Sequence, residues 1–400
     1  MSKKDASKAE KTYLATECDK VGEIALQYGF TVIKSPHISS DDIQKTKQFK
    51  EFDWYSDADE KVALTQWYMR DNLQSLAQPI MVLYKKPLTG SAQKKKSTEE
   101  MYGLEIMGSG RSTSEALSIK TAIAILSDLG YKNLYLDINS IGDKESIGKF
   151  ERELTSYARK NIHLLPAKAR TEFKKNHYSV LSSSERDVEE FRCGAPQTIA
   201  ALSDIGRTHL TEVLEYLESF GIPYKINPTI FSNKLFGANT IFEIRQPTGK
   251  GDDSVLLAYG YRYNYLAKKI GGKKDIHCIG TTIIVKKSAT ASKKVIIKNI
   301  KKPLYYLVQI GPSAKLKALN VVELLRKNKI PVYHSLTKDK ITGQLTGAEY
   351  MHATHVLIIG QKEAIENSIV VRDVNTREQE TIPLSRLVDF LRNMQGKGKK

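Results

Sequence analysis

Gly103, Gly108 and Gly110 fall close together, the composition a phosphate-cradling loop needs. Their spacing fails the test, because neither GxGxxG nor GxxxxGKS/T opens a helix after a strand, and a P-loop ATPase or Rossmann dehydrogenase is a poor reading. Ser182, Ser183 and Ser184 are adjacent hydroxyls with no G-x-S-x-G elbow to present one as a nucleophile. The carboxylate pairs Asp41–Asp42 and Asp252–Asp253 lie in turn-like contexts that read as solvated. Eight histidines form no HExxH or other close ligand pair, and three cysteines (Cys18, Cys193, Cys278) are odd in number and far apart. No metal and no disulfide framework is expected from that pattern.

Lysine carries the stronger signal. Lys286, Lys287, Lys293, Lys294, Lys298, Lys301 and Lys302 fall in one stretch without an acid, Lys94, Lys95 and Lys96 form a second run, and the chain ends GKGKK. Across 400 residues, 62 Lys and Arg face 45 Asp and Glu, a formal charge of +17. Clustered surplus of this kind favours a polyanionic partner, since phosphate contacts release counterions. The length suits two or three domains, and 40% apolar content supports real cores. No apolar run reaches the roughly 18–20 residues a membrane span needs. The opening MSKKDASKAEKTYLATE lacks an apolar signal core. A cytoplasmic protein off the membrane is the expectation.

The elements that must position these groups follow from periodicity. Val21, Ile24, Ala25 and Tyr28 make a helical stripe ended by Gly29, and FTVIKSP is a strand stopped at Pro36. Strands at 79–84 and 102–107 are joined across a Lys-rich loop, and a helix from 114 to 129 closes at Gly130 before the strand LYLDI. Residues 143–225 read as helical, after which strands resume at 241–244, 255–259 and 279–286. The prediction is an antiparallel sheet interrupted by a helical insertion, over 12–285. Residues 286–302 read as a basic linker. Residues 303–395 alternate strand and helix, a compact α/β domain, and 396–400 form a basic tail.

Several segments in order resemble the class II histidyl-tRNA synthetase family. LEIMGSGRSTSEALSIKTAIAILSDLGYKNLYLDINSIGDKESIGKFERELTSY is similar to the family's run from its second motif into the Asn-Ser-(Leu/Ile)-Gly segment. GAPQTIAALSD and FGIPYKINP resemble the end of its helical insertion, and LAYGYRYNYLAKKIGG with CIGTTIIV resembles its histidine motif and third class motif. The likeness runs from about Thr16 to Met394. It implies an α+β class II aminoacyl-tRNA synthetase-like antiparallel-sheet domain with a helical insertion, plus a C-terminal α/β anticodon-binding-like domain. Through the helix before Phe30 to Pro36, where the family has its first motif, it also implies a homodimer.

Departures from the family pattern fall where its chemistry should be. Its Phe-Arg-Tyr-Glu-Arg-Pro run appears as Val82-Leu83-Tyr84-Lys85-Lys86-Pro87, so the phosphate-binding arginine becomes Leu83. The loop arginine becomes Ser91, the catalytic arginine becomes Ser232, and the third motif's arginine is at best Lys287. One preorganised donor of this kind is worth ~2.7–4 kcal/mol in the transition state, so losing several leaves little activity. The histidine pocket retains Thr65, Glu105, Arg262 and Tyr263 as vestigial positions. It has Ala63 for the amine-binding glutamate, Met101 for a glutamine, and Tyr261 and Tyr265 where the family has glycine. Two bulky rings there fill space a ligand needs. Glu105 could meet an imidazole, or serve as a strand carboxylate paired with Arg262 or a lysine.

The resemblance with its departures implies a catalytically inactive, tRNA- or RNA-binding or regulatory paralogue with no cofactor. Lys85, Lys86, Lys94–Lys96 and the 286–302 lysines are its candidate RNA contacts. Leu88 stands where the family reads a base with glutamine, so phosphate rather than base contact is expected there. Two alternatives stand beside it. One is a divergent, active histidine–tRNA ligase using ATP and Mg, with lysines for arginines. The other is a histidine sensor like the regulatory subunit of ATP phosphoribosyltransferase.

Overall fold

The computed structural model describes residues 13–86, 98–249, 253–287, 293–299, 304–336 and 340–397. Lys94, Lys95, Lys96, Lys301 and Lys302, with Leu88, Ser91 and Asp252, lie outside the described residues. Two compact units emerge. One holds Ile33–Glu218 and Ile222–Lys287; the other holds Leu14–Val32, Ser219–Gly221 and the described residues beyond Lys287.

The chain opens with β1 (Glu17–Cys18), α1 (Lys20–Gln27) and β2 (Thr31–Val32). Asp19 caps α1 by accepting the Gly22 N–H at 3.0 Å, the apolar stripe Val21, Ile24, Ala25 is buried, and Gly29 ends the helix at φ +84°. This segment belongs with the C-terminal unit and not, as the sequence suggested, with the first domain. Within that unit the buried Tyr28 hydroxyl donates to Glu323, and the Arg326 guanidinium lies 5.7 Å from its ring.

In the first unit come α2 (Ser40–Thr46), α3 (Ala58–Arg70), β3 (Ile80–Lys85), β4 (Glu99–Met107), α4 (Thr113–Asp128) and β5 (Tyr135–Ser140). The long helices α5 (Lys144–Asn161) and α6 (Asp204–Ser219) bound the insertion, whose shorter helices between them bury Phe150, Leu154, Phe173, Tyr178 and Phe191. Then follow β6 (Tyr224–Ile226), β7 (Ala238–Pro247), β8 (Ser254–Arg262) and β9 (Cys278–Lys286). The sheet runs β3-β4-β9-β8-β7-β5-β6, antiparallel except for the β5–β6 pair. β7 and β8 extend well past the strands expected at 241–244 and 255–259. α3 carries Glu60 and Lys61 inward, and its N-terminus is held by Asp53, whose carboxylate accepts the N–H groups of Asp57 and Ala58 at 3.2 Å each.

The expected linker is partly structured. Lys286 ends β9, and β10 (Val295–Ile296) pairs antiparallel with β1. The second unit continues through β11 (Tyr305–Gln309), α7 (Pro312–Lys327), β12 (Val332–His334), α8 (Ile341–Tyr350), β13 (His355–Ile359), α9 (Gln361–Glu366), β14 (Ser368–Asp373), β15 (Gln379–Pro383) and α10 (Leu387–Lys397). Its sheet order is β12-β11-β13-β14-β15, parallel among the first three strands and antiparallel thereafter. Among the described residues, no helix is long and apolar enough to cross a membrane.

Candidate functional site

Register places the site. On β4, Glu105 sits opposite Val82 of β3 and Gly280 of β9, and Gly280 in turn sits opposite Tyr261 of β8. Because side chains alternate across a strand, Tyr259, Tyr261 and Tyr263 share the Glu105 face while Arg262 points through the sheet. Facing this surface is α3, which supplies Lys61 at its first turn.

Glu105 is fully buried and fully engaged. Its Oε1 accepts from Lys61 Nζ at 2.6 Å and from the Tyr84 hydroxyl at 3.3 Å, and its Oε2 accepts from the Tyr263 hydroxyl at 2.8 Å. Lys61 is itself buried, with Asp57 Oδ2 at 3.9 Å and the rings of Tyr263 and Tyr261 at 5.1 and 5.6 Å. The Tyr261 hydroxyl donates to Asp57 Oδ1 at 2.5 Å. Burial alone would push the Lys61 pKa down, but Glu105 and Asp57 hold it above the ordinary lysine range. Burial pushes the Tyr84, Tyr261 and Tyr263 phenols well up, so all three stay protonated donors. Two glycines make the arrangement possible. A Cβ at Gly280 would stand 1.9 Å from Lys61 Nζ, and one at Gly103 would stand 2.2 Å from the Tyr84 ring.

Of the two pairings open to Glu105 within the protein, the lysine is the one formed. Arg262 is on the other face, where its guanidinium forks onto Glu115 of α4 and donates to the carbonyls of Ser109 at 2.8 Å and Arg111 at 2.7 Å. Glu115 also meets His209 Nε2 at 2.5 Å. Burial tends to raise the Glu115 carboxyl, yet Arg262 and His209 pull it down to about 2. Thr65 is buried and spends its hydroxyl on the Lys61 carbonyl at 2.7 Å. Tyr261 is buried with Lys61 Nζ 5.6 Å from its ring; Tyr265 is partly exposed, with Lys144 Nζ 4.4 Å from its ring. Asp57, Lys61, Tyr84 and Glu115 were not singled out from sequence. The one signal, toward Lys61, was the lysine offered above as an alternative partner for Glu105.

At the positions where nucleotide chemistry is expected, Leu83 is buried on the face opposite Tyr84, and Ser232 is buried with no hydrogen-bond partner for its hydroxyl among the described residues. Lys234 lies over the Phe52 ring at 4.5 Å. Neither Leu83, which points to the face away from Glu105, nor Ser232 offers the positive charge a polyphosphate with its magnesium needs.

The candidate RNA contacts divide sharply. Lys86 turns inward, donating to Thr282 Oγ1 at 3.3 Å and lying 3.5 Å from Glu60. Lys85 is half exposed and 2.7 Å from Glu100. Lys286, Lys287, Lys293, Lys294 and Lys298 are exposed, Lys294 lying 3.2 Å from Glu17.

Comparison with known proteins places this geometry. Residues 295–394 match the profile of the family described as anticodon binding domain. The histidine–tRNA ligase of Halothermothrix orenii is 30% identical over 297 residues, 73% of this chain and 70% of that protein. That of Listeria monocytogenes is 27% identical over 326 residues, 80% of this chain and 76% of that one. Among solved structures, apo histidyl-tRNA synthetase of S. aureus superposes with TM-score 0.52 at 22% identity, covering 96% of this chain and 94% of that chain, which shows a shared fold. With its antiparallel sheet, helical insertion and C-terminal anticodon-binding domain, the chain belongs to the class II histidyl-tRNA synthetase family.

Proposed function

We propose that this chain is a catalytically retired family member that binds tRNA or another structured RNA, as a homodimer in the cytoplasm, without turning over ATP. The observation that carries the reading is the pair of buried, uncharged side chains, Leu83 and Ser232, at two positions matched to the family's phosphate-facing arginines. Amino-acid activation develops charge on the α-phosphate, and donors placed there supply the largest single share of catalysis. Lysine elsewhere does not replace a rigid bidentate fork. What supports RNA binding is the charge of +17, the exposed lysines at 286, 287, 293, 294 and 298, and the anticodon-binding profile over 295–394.

A second reading, an active histidine–tRNA ligase, is favoured by the 30% identity to the Halothermothrix orenii enzyme. Titration calorimetry separates the two. Under the proposal, histidine and ATP give no heat, and bulk tRNA binds with an affinity that falls steeply between two salt concentrations. Heat from histidine with ATP favours the ligase, and salt-insensitive or absent tRNA binding removes the RNA role.

A further inference from the structure

The Glu105 cluster is built like a binding site. A fully buried carboxylate accepts from two phenols, a second carboxylate accepts from a third, two ring faces lie beside them, and among these groups stands the ammonium of Lys61. We infer that the cluster is a site for a primary alkylammonium ion, occupied permanently by the chain's own Lys61, which closes it to free amines and amino acids. The inference concerns this pocket alone and stands whether or not the chain binds RNA.

Three observations carry it. The first is charge. Glu105 and Asp57 face Lys61, so the cage stays net negative with the ammonium in place and gains a further uncompensated charge without it. Of the other groups packed nearby, Asp53 beside Asp57, pushed up to about 6 by burial and that neighbour, adds to the negative side, and Glu60 is answered by Lys86 at 3.5 Å. Second, the chemical class is set by the partners. An ammonium is a point charge satisfied by donating to one carboxylate and lying against ring faces at 5.1 and 5.6 Å, whereas a planar guanidinium would need a second acceptor in its plane. Third, space is reserved for it. Gly280, directly across from Glu105, would drive a Cβ to 1.9 Å from Nζ, so the backbone itself is shaped around this nitrogen.

The test removes the ammonium and offers it back. Lys61→Ala in the full chain vacates the volume of n-propylammonium. The variant is expected to melt several degrees below wild type and to recover a few degrees in n-propylammonium chloride, not in 1-propanol or sodium chloride at matched concentration. Adding Glu105→Gln to Lys61→Ala is expected to abolish the recovery. Equal recovery in propanol, no recovery in the amine, or recovery that persists in the double variant overturns the inference. Should Lys61→Ala prove insoluble, the yield of soluble protein refolded with and without n-propylammonium gives the same decision. An independent reading uses wild-type protein with 15N-labelled lysine. One ammonium signal protected from solvent exchange at neutral pH, and missing in Lys61→Met, is expected; absence of any protected ammonium contradicts an occupied cage.

Discussion

Lysines of the two units show two opposite kinds of work. In the first, Lys61 and Lys86 are buried against Glu105, Asp57 and Glu60, each held to a carboxylate by the packing of α3 on the sheet. In the second, Lys293, Lys294 and Lys298 stand in water, and of these Lys294 reaches Glu17. A charge total of +17 counts both kinds alike. The difference teaches that a basic composition states how much phosphate a chain could neutralise, while burial decides which lysines remain to do it. Around Glu105 charged and phenolic side chains are packed into core, and residues 295–394 match the anticodon binding domain profile.

The contrast breaks most visibly at the buried pairs. Lys61→Met leaves Glu105 buried without its cation and is expected to cost about 3–5 kcal/mol in urea unfolding. Lys61→Met with Glu105→Gln recovers most of that loss, because two neutral groups need no counter-ion. If the single and double variants unfold alike, the pair is not what holds the pocket. Arg262→Met acts similarly on Glu115 and has a pH signature. The folded pKa of Glu115 is about 2 against an ordinary 4.5, so its contribution is present above 4.5 and lost as pH falls toward 2. That contribution is on the order of 3 kcal/mol. Acid unfolding of wild type against Arg262→Met measures it, and parallel curves would count against the pairing.

Smaller effects sharpen the comparison. Gly280→Ala drives a methyl into the Lys61 ammonium and is expected to cost about 1–3 kcal/mol. Glu60, raised by burial to about 7, favours folding below its ordinary 4.5, and this is lost as pH rises toward 7. Glu60→Gln therefore flattens stability across that window, read by thermal melting at stepped pH. At the exposed end, Lys293→Gln, Lys294→Gln and Lys298→Gln together leave urea unfolding within about 0.5 kcal/mol of wild type. They lower the salt slope of tRNA binding by up to about three phosphate contacts. A large stability loss with an unchanged slope reverses the assignment of these lysines. Lys85→Gln breaks a half-exposed pair with Glu100 and is worth at most about 1 kcal/mol.

Much of the fold was legible because it obeys simple periodicity. α1 and its Gly29 stop, the helix closed by Gly130, and the apolar strands β3, β5 and β9 could all be read from residue type. α3 was not, since it buries Glu60, Lys61 and Thr65 among its apolar residues and shows no clean stripe. β15, with four of its five residues exposed, and the six-residue α9 carry too few apolar positions to register. The grouping of residues 14–32 with the C-terminal unit rests on long-range contacts such as Tyr28 with Glu323 and Arg326, which spacing along the chain does not encode. At the site, Glu105 and Tyr263 were visible as types in a motif. Their partner was not, because choosing Lys61 over Arg262 requires knowing which sheet face each occupies.

Histidine-dependent ATP–pyrophosphate exchange on the purified full chain tests the central claim most directly. Under the proposed reading, in which Leu83 and Ser232 replace phosphate-binding arginines and Lys61 is held by Glu105, exchange is expected to stay at the no-enzyme blank with and without histidine. Exchange clearly above that blank, rising with histidine concentration, would contradict the account and establish a working ligase.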